Sequence, residues 1–161
     1  MNRGSSLASP GREFSPELAE VEVEVVRDVT GELVTAVDWL LRLTSSSARV
    51  VGADVLRTVL ACPSNRLLVA RLHGEIVGML TVVVSPLATG VRAWTEDVMV
   101  DDAVRSFEVE ATLIRAAVRL ARSAGAETVD VTSGLARTAA DQRYERLGFT
   151  AQHAKTYRLA L

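Results

Sequence analysis

Residues 98–123 join a short apolar strand, Val98–Val100, through a polar turn to an amphipathic helix that begins at Phe107. Many α/β enzymes hold phosphate groups at such a junction, because the N-terminus of a helix offers unpaired N–H groups and a partial positive charge. The turn normally contains glycines, which let the backbone approach the anion. Here it contains none, and it carries the carboxylates of Asp101 and Asp102. The junction therefore predicts a phosphate site that has been rebuilt or lost.

The sequence offers no comparable pattern for a metal ion or a nucleophile. His73 lies in a predicted hairpin turn and His153 near the C-terminus, and neither has a second ligand at a suitable spacing. The one cysteine, Cys62, precedes Pro63 at the end of a predicted helix, which is typical of a small buried residue. We therefore expect no metal ion and no disulfide within the chain.

The length of 161 residues and the 48% hydrophobic content are typical of one globular domain. A net charge of -2 does not favour nucleic-acid binding, and no apolar run is long enough to cross a bilayer. The first residues are rich in Ser, Gly and Pro and lack the apolar centre of a signal peptide. We expect a flexible tail over residues 1–18, a single domain over residues 19–161, a cytoplasmic protein, and neither a membrane nor a nucleic-acid partner.

Hydrophobic periodicity predicts the secondary structure. His73-Gly74 predicts a two-residue hairpin turn, and Gly125 predicts the end of the main helix, because glycine adopts a positive φ at little cost. Residues 85–91, with Pro86 and Gly90, are predicted to form a loop. Strands are predicted at residues 21–29, 66–72, 75–84, 92–100, 127–131 and 156–161, and helices at residues 31–43, 53–62, 107–123 and 137–147.

This order of elements, β-α-α-β-β-β-α-β-α-β, combines a run of antiparallel strands with one β-α-β crossover. Such crossovers are right-handed and place a helix against the sheet. The predicted fold class is α/β (α+β), with a central, twisted, mixed but mostly antiparallel sheet and helices on both faces.

Three segments resemble the GNAT superfamily, the Gcn5-related N-acetyltransferases. Residues 66–80, with Gly74 and Gly78, resemble the central hairpin of the family. Residues 95–101, followed by Arg105, resemble the strand and turn that hold its cofactor. Residues 139–149, with Tyr144 and a Gly-Phe ending, resemble its late helix and are the most specific of the three. Together the segments extend the resemblance from residue 21 to residue 161.

The resemblance implies acetyl-CoA as cofactor. The backbone of Val98, Met99 and Val100 would pair with the pantetheine arm in the manner of an added strand. The N–H groups of the following turn and first helical turn would hold the diphosphate. The resemblance assigns this role to Arg105, Ser106, Phe107, Glu108, Val109, Glu110 and Ala111. Asp141 stands where close relatives often carry an asparagine that touches the pantetheine arm.

The diphosphate turn departs from the family pattern, because Glu108 and Glu110 replace its two small residues. A carboxylate about 4 to 5 Å from a phosphate, at an effective dielectric constant of about 20, repels it by roughly 3 to 4 kcal/mol. The turn is therefore predicted to be degenerate. Alternatively, both glutamates are favourable residues for the first turn of a helix, where acidic side chains stabilise the helix dipole. Asp141 is a third departure toward negative charge, since it keeps an acceptor and loses the amide donors.

Amine acetylation needs a base for the amine, a donor for the oxyanion and an acid for the departing thiolate. Glu96 is the preferred base, because relatives often carry a carboxylate on this strand and because Trp94 and Val98 are expected to share its face and desolvate it. Asp97 is expected on the opposite face. Alternatively, either acid is a structural partner for an arginine. The resemblance assigns Tyr144 as the acid that protonates the thiolate.

The predicted function is acetyl-CoA-dependent N-acetylation of a small-molecule amine. The alternative is a GNAT-fold protein that has lost acetyl-CoA binding through Glu108 and Glu110. Such a protein would use the same cleft for a different reaction, for another small molecule or for a protein partner. A homodimer is expected from the fold. The sequence does not identify the acceptor amine.

Overall fold

The structure, a computed structural model, describes residues 20–44, 50–104, 107–132, 138–152 and 156–161. Its strands are β1 (Glu22–Val25), β2 (Asn65–Leu72), β3 (Glu75–Leu87), β4 (Gly90–Val100) and β5 (Thr128–Val131). Its helices are α1 (Gly31–Thr44), α2 (Ala53–Ala61), α3 (Phe107–Ser123) and α4 (Thr138–Arg146), with a 3-10 turn over Asp102–Val104. The predicted tail over residues 1–18 lies outside the described residues, and the single domain over residues 19–161 stays a prediction.

The five strands form one sheet in the order β1-β2-β3-β4-β5. The first three pairings are antiparallel, and β4 pairs with β5 in parallel. Helix α3 makes the crossover that a parallel pair requires. The predicted mixed, mostly antiparallel sheet is therefore confirmed.

Helices cover both faces of the sheet, as predicted. One face packs against α1 and α2 through an apolar cluster that includes Leu33, Leu40 and Leu56. The other face packs against α3, which contributes buried residues at helical spacing: Val109, Leu113, Ile114, Ala117 and Ala121. We call these the α1/α2 face and the α3 face. The bounds predicted for α3 agree with the structure at both ends.

Two predicted glycine positions have the expected conformation. His73 and Gly74 have φ values of 51° and 83°, as a mirror-image hairpin turn requires. Gly125 has a φ of 83°, and the Ala126 N–H donates to the Ala121 carbonyl at 3.0 Å. This bond closes the end of α3 with the usual glycine C-cap.

Three predicted elements differ from the structure. Strand β1 is shorter than predicted and lies at an edge of the sheet, although the Val26 N–H still donates to the Leu67 carbonyl at 2.8 Å. The loop predicted over residues 85–91 is shorter in the structure: residues 88 and 89 form the turn, and Pro86 pairs with Val91 near a strand end, where a missing N–H is tolerated. The strand predicted over residues 156–161 is not formed, since this segment pairs with no strand of the described sheet.

Arg71 joins the edge of the sheet to α1. It donates from Nε to the Glu24 carboxylate at 2.9 Å, from Nη2 to Glu32 at 3.1 Å and from Nη1 to the Gly74 carbonyl at 2.7 Å. The hydrogen bonds from Arg71 hold the pKa of Glu32 below its ordinary value. These contacts hold β1, β2 and α1 together at the edge of the sheet opposite to β5.

Candidate functional site

Strand β4 contains a β-bulge at the position of the candidate base. Thr81 pairs with Glu96 and Met79 pairs with Met99, so β4 holds one more residue than β3 over this interval. Asp97 has a φ of 53°, a left-handed value that is uncommon for a residue other than glycine. A bulge of this kind interrupts the alternation of side chains along a strand.

The bulge brings Glu96 and Asp97 to the same face of the sheet. Thr81 and Glu96 are cross-strand partners and share a face. The Asp97 Oδ2 lies 3.5 Å from the Thr81 hydroxyl, so Asp97 is on that face as well. The expectation that Asp97 points to the opposite face is wrong, because strict alternation does not hold across the extra residue. Sequence reasoning missed the bulge, since a single aspartate carries no signal for it.

The bulge also moves Val98 away from Glu96. Val98 packs against the core cluster of the α3 face, whereas Met99 packs against the α1/α2 face. The expectation that Val98 desolvates Glu96 is therefore wrong, and the Glu96 side chain is exposed. An exposed carboxylate is accessible to a solute, which a base for an external amine requires.

Strands β4 and β5 separate beyond the bulge. Their pairing ends at Thr95 and Val131, but β4 continues to Val100. Within the described sheet, no strand pairs with this last part of β4 on the β5 side. An extended ligand with amide groups could add there as a strand does. Val98, Met99 and Val100, which were predicted to hold the pantetheine arm, all lie in this stretch.

Asp101 fixes the turn between β4 and α3. Its carboxylate is buried and accepts from the Ala103 N–H at 2.9 Å and from the Trp39 indole Nε1 at 3.2 Å. Its own N–H donates to the Val77 carbonyl at 2.8 Å. Sequence reasoning took Asp101 only as a negative charge in the turn. Its position at the start of a turn between a strand and a helix is the sequence signal that could have identified its role, because aspartate there often accepts from the N–H two residues ahead in an Asx turn.

The first turn of α3 presents its two glutamates differently. Arg105 and Ser106 lie outside the described residues, and Phe107 is half-buried. The Glu108 side chain is 67% exposed, with Oε1 at 3.7 Å from the Arg115 Nη1. The Glu110 side chain is only 14% exposed, and its Oε2 lies 2.9 Å from the Arg143 Nη1. Val109 and Ala111 are buried, so their side chains do not reach a ligand at this turn.

This arrangement lowers the electrostatic cost of a diphosphate at the turn. Arg143 cancels the charge of Glu110 at hydrogen-bond distance. Glu108 is mostly in solvent, where two unit charges about 4 Å apart interact by only about 1 kcal/mol. The sequence led us to expect a repulsion of roughly 3 to 4 kcal/mol per carboxylate. That expectation holds only for a glutamate that is unpaired and less solvated. The described residues therefore fit an anionic cofactor better than the sequence pattern predicts.

The late helix α4 ends in the Tyr-x-x-x-Gly-Phe pattern. Gly148 has a φ of 90°, and the Phe149 N–H donates to the Tyr144 carbonyl at 3.0 Å. The rings of Tyr144 and Phe149 make an edge contact with centroids 6.1 Å apart. Both residues pack against the core of the α3 face, which fixes the orientation of the tyrosine ring. Asp141 lies in α4, but its side chain is outside the described part of the chain.

Two further properties concern the described residues alone. They contain no group of His, Cys, Asp and Glu side chains arranged to hold a metal ion. They also contain no helix that is both long enough and apolar enough to span a membrane.

Solved structures share this fold over most of their length. A putative acetyltransferase from Agrobacterium tumefaciens is 22% identical and has a TM-score of 0.76, with 87% of this chain and 99% of that chain covered. An aminoglycoside acetyltransferase from an uncultured soil metagenomic sample, in complex with sisomicin, is 19% identical, with a TM-score of 0.77 and coverage of 88% and 95%. An aminoglycoside N-acetyltransferase in complex with CoA is 14% identical, with a TM-score of 0.72 and coverage of 92% and 100%.

A search of the curated proteins finds no match to this chain. The family model of the acetyltransferase (GNAT) family matches residues 36–149, which is most of the chain. This range includes the bulged strand β4, the turn before α3 and the late helix with Tyr144. The chain therefore belongs to the GNAT family of acetyltransferases.

Proposed function

We propose that the chain transfers an acetyl group from acetyl-CoA to a small-molecule amine. The observation that carries the proposal is the bulge of β4, which brings the exposed carboxylates of Glu96 and Asp97 together beside the part of β4 that lacks a β5 partner. Two carboxylates on one exposed face attract a cationic amine and offer it a proton acceptor. The complex of a solved neighbour with sisomicin supports an amine as acceptor.

In this proposal, acetyl-CoA supplies an acetyl group activated as a thioester. The backbone of Val98, Met99 and Val100 binds the pantetheine arm, and Asp141 accepts a hydrogen bond from it. The N–H groups at the start of α3 hold the diphosphate. The N–H groups proposed for this role belong to Phe107, Glu108, Val109, Glu110 and Ala111. Arg105 and Ser106, which come before them in the sequence, are proposed to take part as well.

The chain moves two protons in this reaction. The Glu96 carboxylate accepts a proton from the attacking amine, directly or through water, and Asp97 holds the cationic amine nearby. The Tyr144 hydroxyl donates a proton to the leaving sulfur. The edge contact between Tyr144 and Phe149 supports this role, because it fixes the orientation of the phenol ring.

A second function has one observation in its favour. Glu108 stands in the first turn of α3, where the family carries a small residue, and its side chain is mostly in solvent, with Oε1 at 3.7 Å from the Arg115 Nη1. A GNAT-fold protein without coenzyme binding would keep the carboxylates of Glu96 and Asp97 for a different reaction or ligand. Failure of the chain to bind CoA would favour this alternative.

The experiment that tests the proposed function is a thiol-release assay with acetyl-CoA and a panel of amines. We expect release of free CoA that depends on one class of amine, together with the N-acetyl product detected by mass spectrometry. The Tyr144→Phe variant, which keeps the ring and loses the proton, is expected to lower kcat by about 10²-fold or more. Absence of product across aminoglycosides, polyamines, amino acids and peptide N-termini, at millimolar acetyl-CoA, would contradict the proposal.

A cytoplasmic location stays a prediction.

The proposed assembly is a homodimer. Residues 156–161 carry Tyr157, Leu159 and Leu161 at strand spacing, and these side chains are 88%, 85% and fully exposed. Strand β5 is the last strand of the described sheet and lies at its edge. An alternating apolar segment and an edge strand in one chain are complementary, so two copies can each provide a strand to the other.

Sedimentation velocity tests this assembly. The native chain is expected to sediment with twice the monomer mass of 17.3 kDa. The Leu159→Asp variant introduces a charge into the proposed contact and is expected to sediment as a monomer with an unchanged circular dichroism spectrum. A native chain that sediments as a monomer at micromolar concentration would rule out the homodimer.

A further inference from the structure

We infer that Arg143 is a coenzyme-binding residue, whose guanidinium binds the diphosphate at the first turn of α3. The inference rests on the proposed function, since it assumes that acetyl-CoA is the ligand of this turn. In the family, small residues let the diphosphate approach the backbone N–H groups of the turn closely. Here glutamates stand in their place, and the positive charge of Arg143 compensates for the weaker backbone contact.

The reach of Arg143 is fixed by its contact with Glu110. The Arg143 Nη1 lies 2.9 Å from the Glu110 Oε2, and Glu110 belongs to the first turn of α3. The guanidinium therefore extends from α4 to the N-terminal end of α3, where an anion is also favoured by the helix dipole. Any ligand whose phosphates rest on this turn comes within reach of the same guanidinium.

Arg143 has hydrogen-bond donors left over after this contact. A guanidinium carries five N–H donors, and the Glu110 contact uses Nη1. The Nε of Arg143 is buried and finds no acceptor within the described part of the chain. A buried donor without a partner is unfavourable, and a shift of the side chain, which is 37% exposed, would bring Nε to a phosphate oxygen that satisfies it. The planar fork of arginine also matches two oxygens of a phosphate group.

Glu110 then acts as a positioning residue for Arg143. Its side chain is mostly buried, and its carboxylate holds the guanidinium at the turn while Arg143 cancels its charge. Glu110, which replaces a small residue of the family, and Arg143 on α4 therefore act together as a pair. The competing explanation is that Arg143 serves only to neutralise Glu110 and joins the two helices without touching a ligand.

Calorimetry with three probes separates these explanations. The probes are CoA, dephospho-CoA, which keeps the diphosphate and lacks the ribose phosphate, and inorganic pyrophosphate. The Arg143→Gln variant is expected to bind CoA and dephospho-CoA about 10- to 100-fold more weakly, as loss of a charged hydrogen bond predicts. Arg146→Gln, at an exposed position of the same helix, is the matched control and is expected to bind all probes as the native chain does.

The double variant Glu110→Gln with Arg143→Gln is the decisive comparison, because it removes the ion pair without leaving an unpaired charge. If Arg143 binds the diphosphate, the double variant stays about 10-fold or more weaker than the native chain. If Arg143 only neutralises Glu110, the double variant recovers native affinity, which overturns the inference. If Arg143→Gln lowers the affinity for CoA but not for dephospho-CoA, the inference is overturned too, since Arg143 then contacts the ribose phosphate. Thermal unfolding of each variant verifies that it is folded.

The outcomes also distinguish this inference from the proposed function. A native chain that binds CoA, with unchanged affinity in Arg143→Gln, overturns the role of Arg143 and leaves the function in place. A native chain that binds neither CoA nor dephospho-CoA, but binds pyrophosphate in a way that requires Arg143, overturns the function and supports the anion contact. Absence of binding for all three probes overturns both.

Discussion

Glu96→Gln is expected to lower kcat by about 10²- to 10⁴-fold, the usual contribution of a general base. Glutamine keeps the size of the side chain and can accept a hydrogen bond, but its amide cannot take the proton from the amine. The exposed position of Glu96 beside the end of β4 means that the substitution leaves the core intact. Steady-state kinetics with the amine identified by the thiol-release assay measures the effect.

Asp97→Asn is the matched control, because asparagine tolerates the left-handed φ of 53° and preserves the bulge. Its expected effect lies mainly in KM for the amine, by about 5-fold, as loss of one solvent-exposed charge predicts. If Asp97→Asn instead lowers kcat more than Glu96→Gln does, the base is Asp97 and our assignment of Glu96 is wrong. The bulge makes this comparison necessary, since both carboxylates lie on one face.

The second large effect concerns coenzyme binding. We expect the native chain to bind acetyl-CoA with a dissociation constant in the micromolar range or below, that is, with at least about 8 kcal/mol of binding free energy. Glu108→Gln is expected to strengthen binding by only about 5-fold, because an exposed carboxylate repels a phosphate by about 1 kcal/mol in water. A gain of 100-fold or more would mean that Glu108 blocks the diphosphate position and that solvent does not screen its charge.

The sequence predicted the framework of this fold well. The bounds of α3 follow from its apolar periodicity and its glycine C-cap, both of which are local properties. The mixed, mostly antiparallel character of the sheet follows from the run of hairpin strands and the single crossover. Pattern reasoning failed where the outcome depends on partners far away in sequence, as for the hairpin of Pro86 and Val91, where pairing overrides the usual meaning of Pro.

The candidate site was predicted less completely. Glu96 and Tyr144 were identified by position and resemblance, and their roles stay predictions. The bulge at Asp97 depends on the pairing of β4 with β3, so no local signal indicated it. The contact between Glu110 and Arg143 joins two helices that are separated by β5 in the chain, so spacing could not reveal that one charge cancels the other.

The central claim is that the turn before α3 still accepts a diphosphate, since Arg143 neutralises Glu110 and solvent screens Glu108. Isothermal titration calorimetry of the native chain with CoA tests it most directly. We predict saturable binding of one CoA per chain with a dissociation constant of about micromolar or lower. No measurable binding heat up to millimolar CoA at several temperatures, with the chain folded, would contradict the claim.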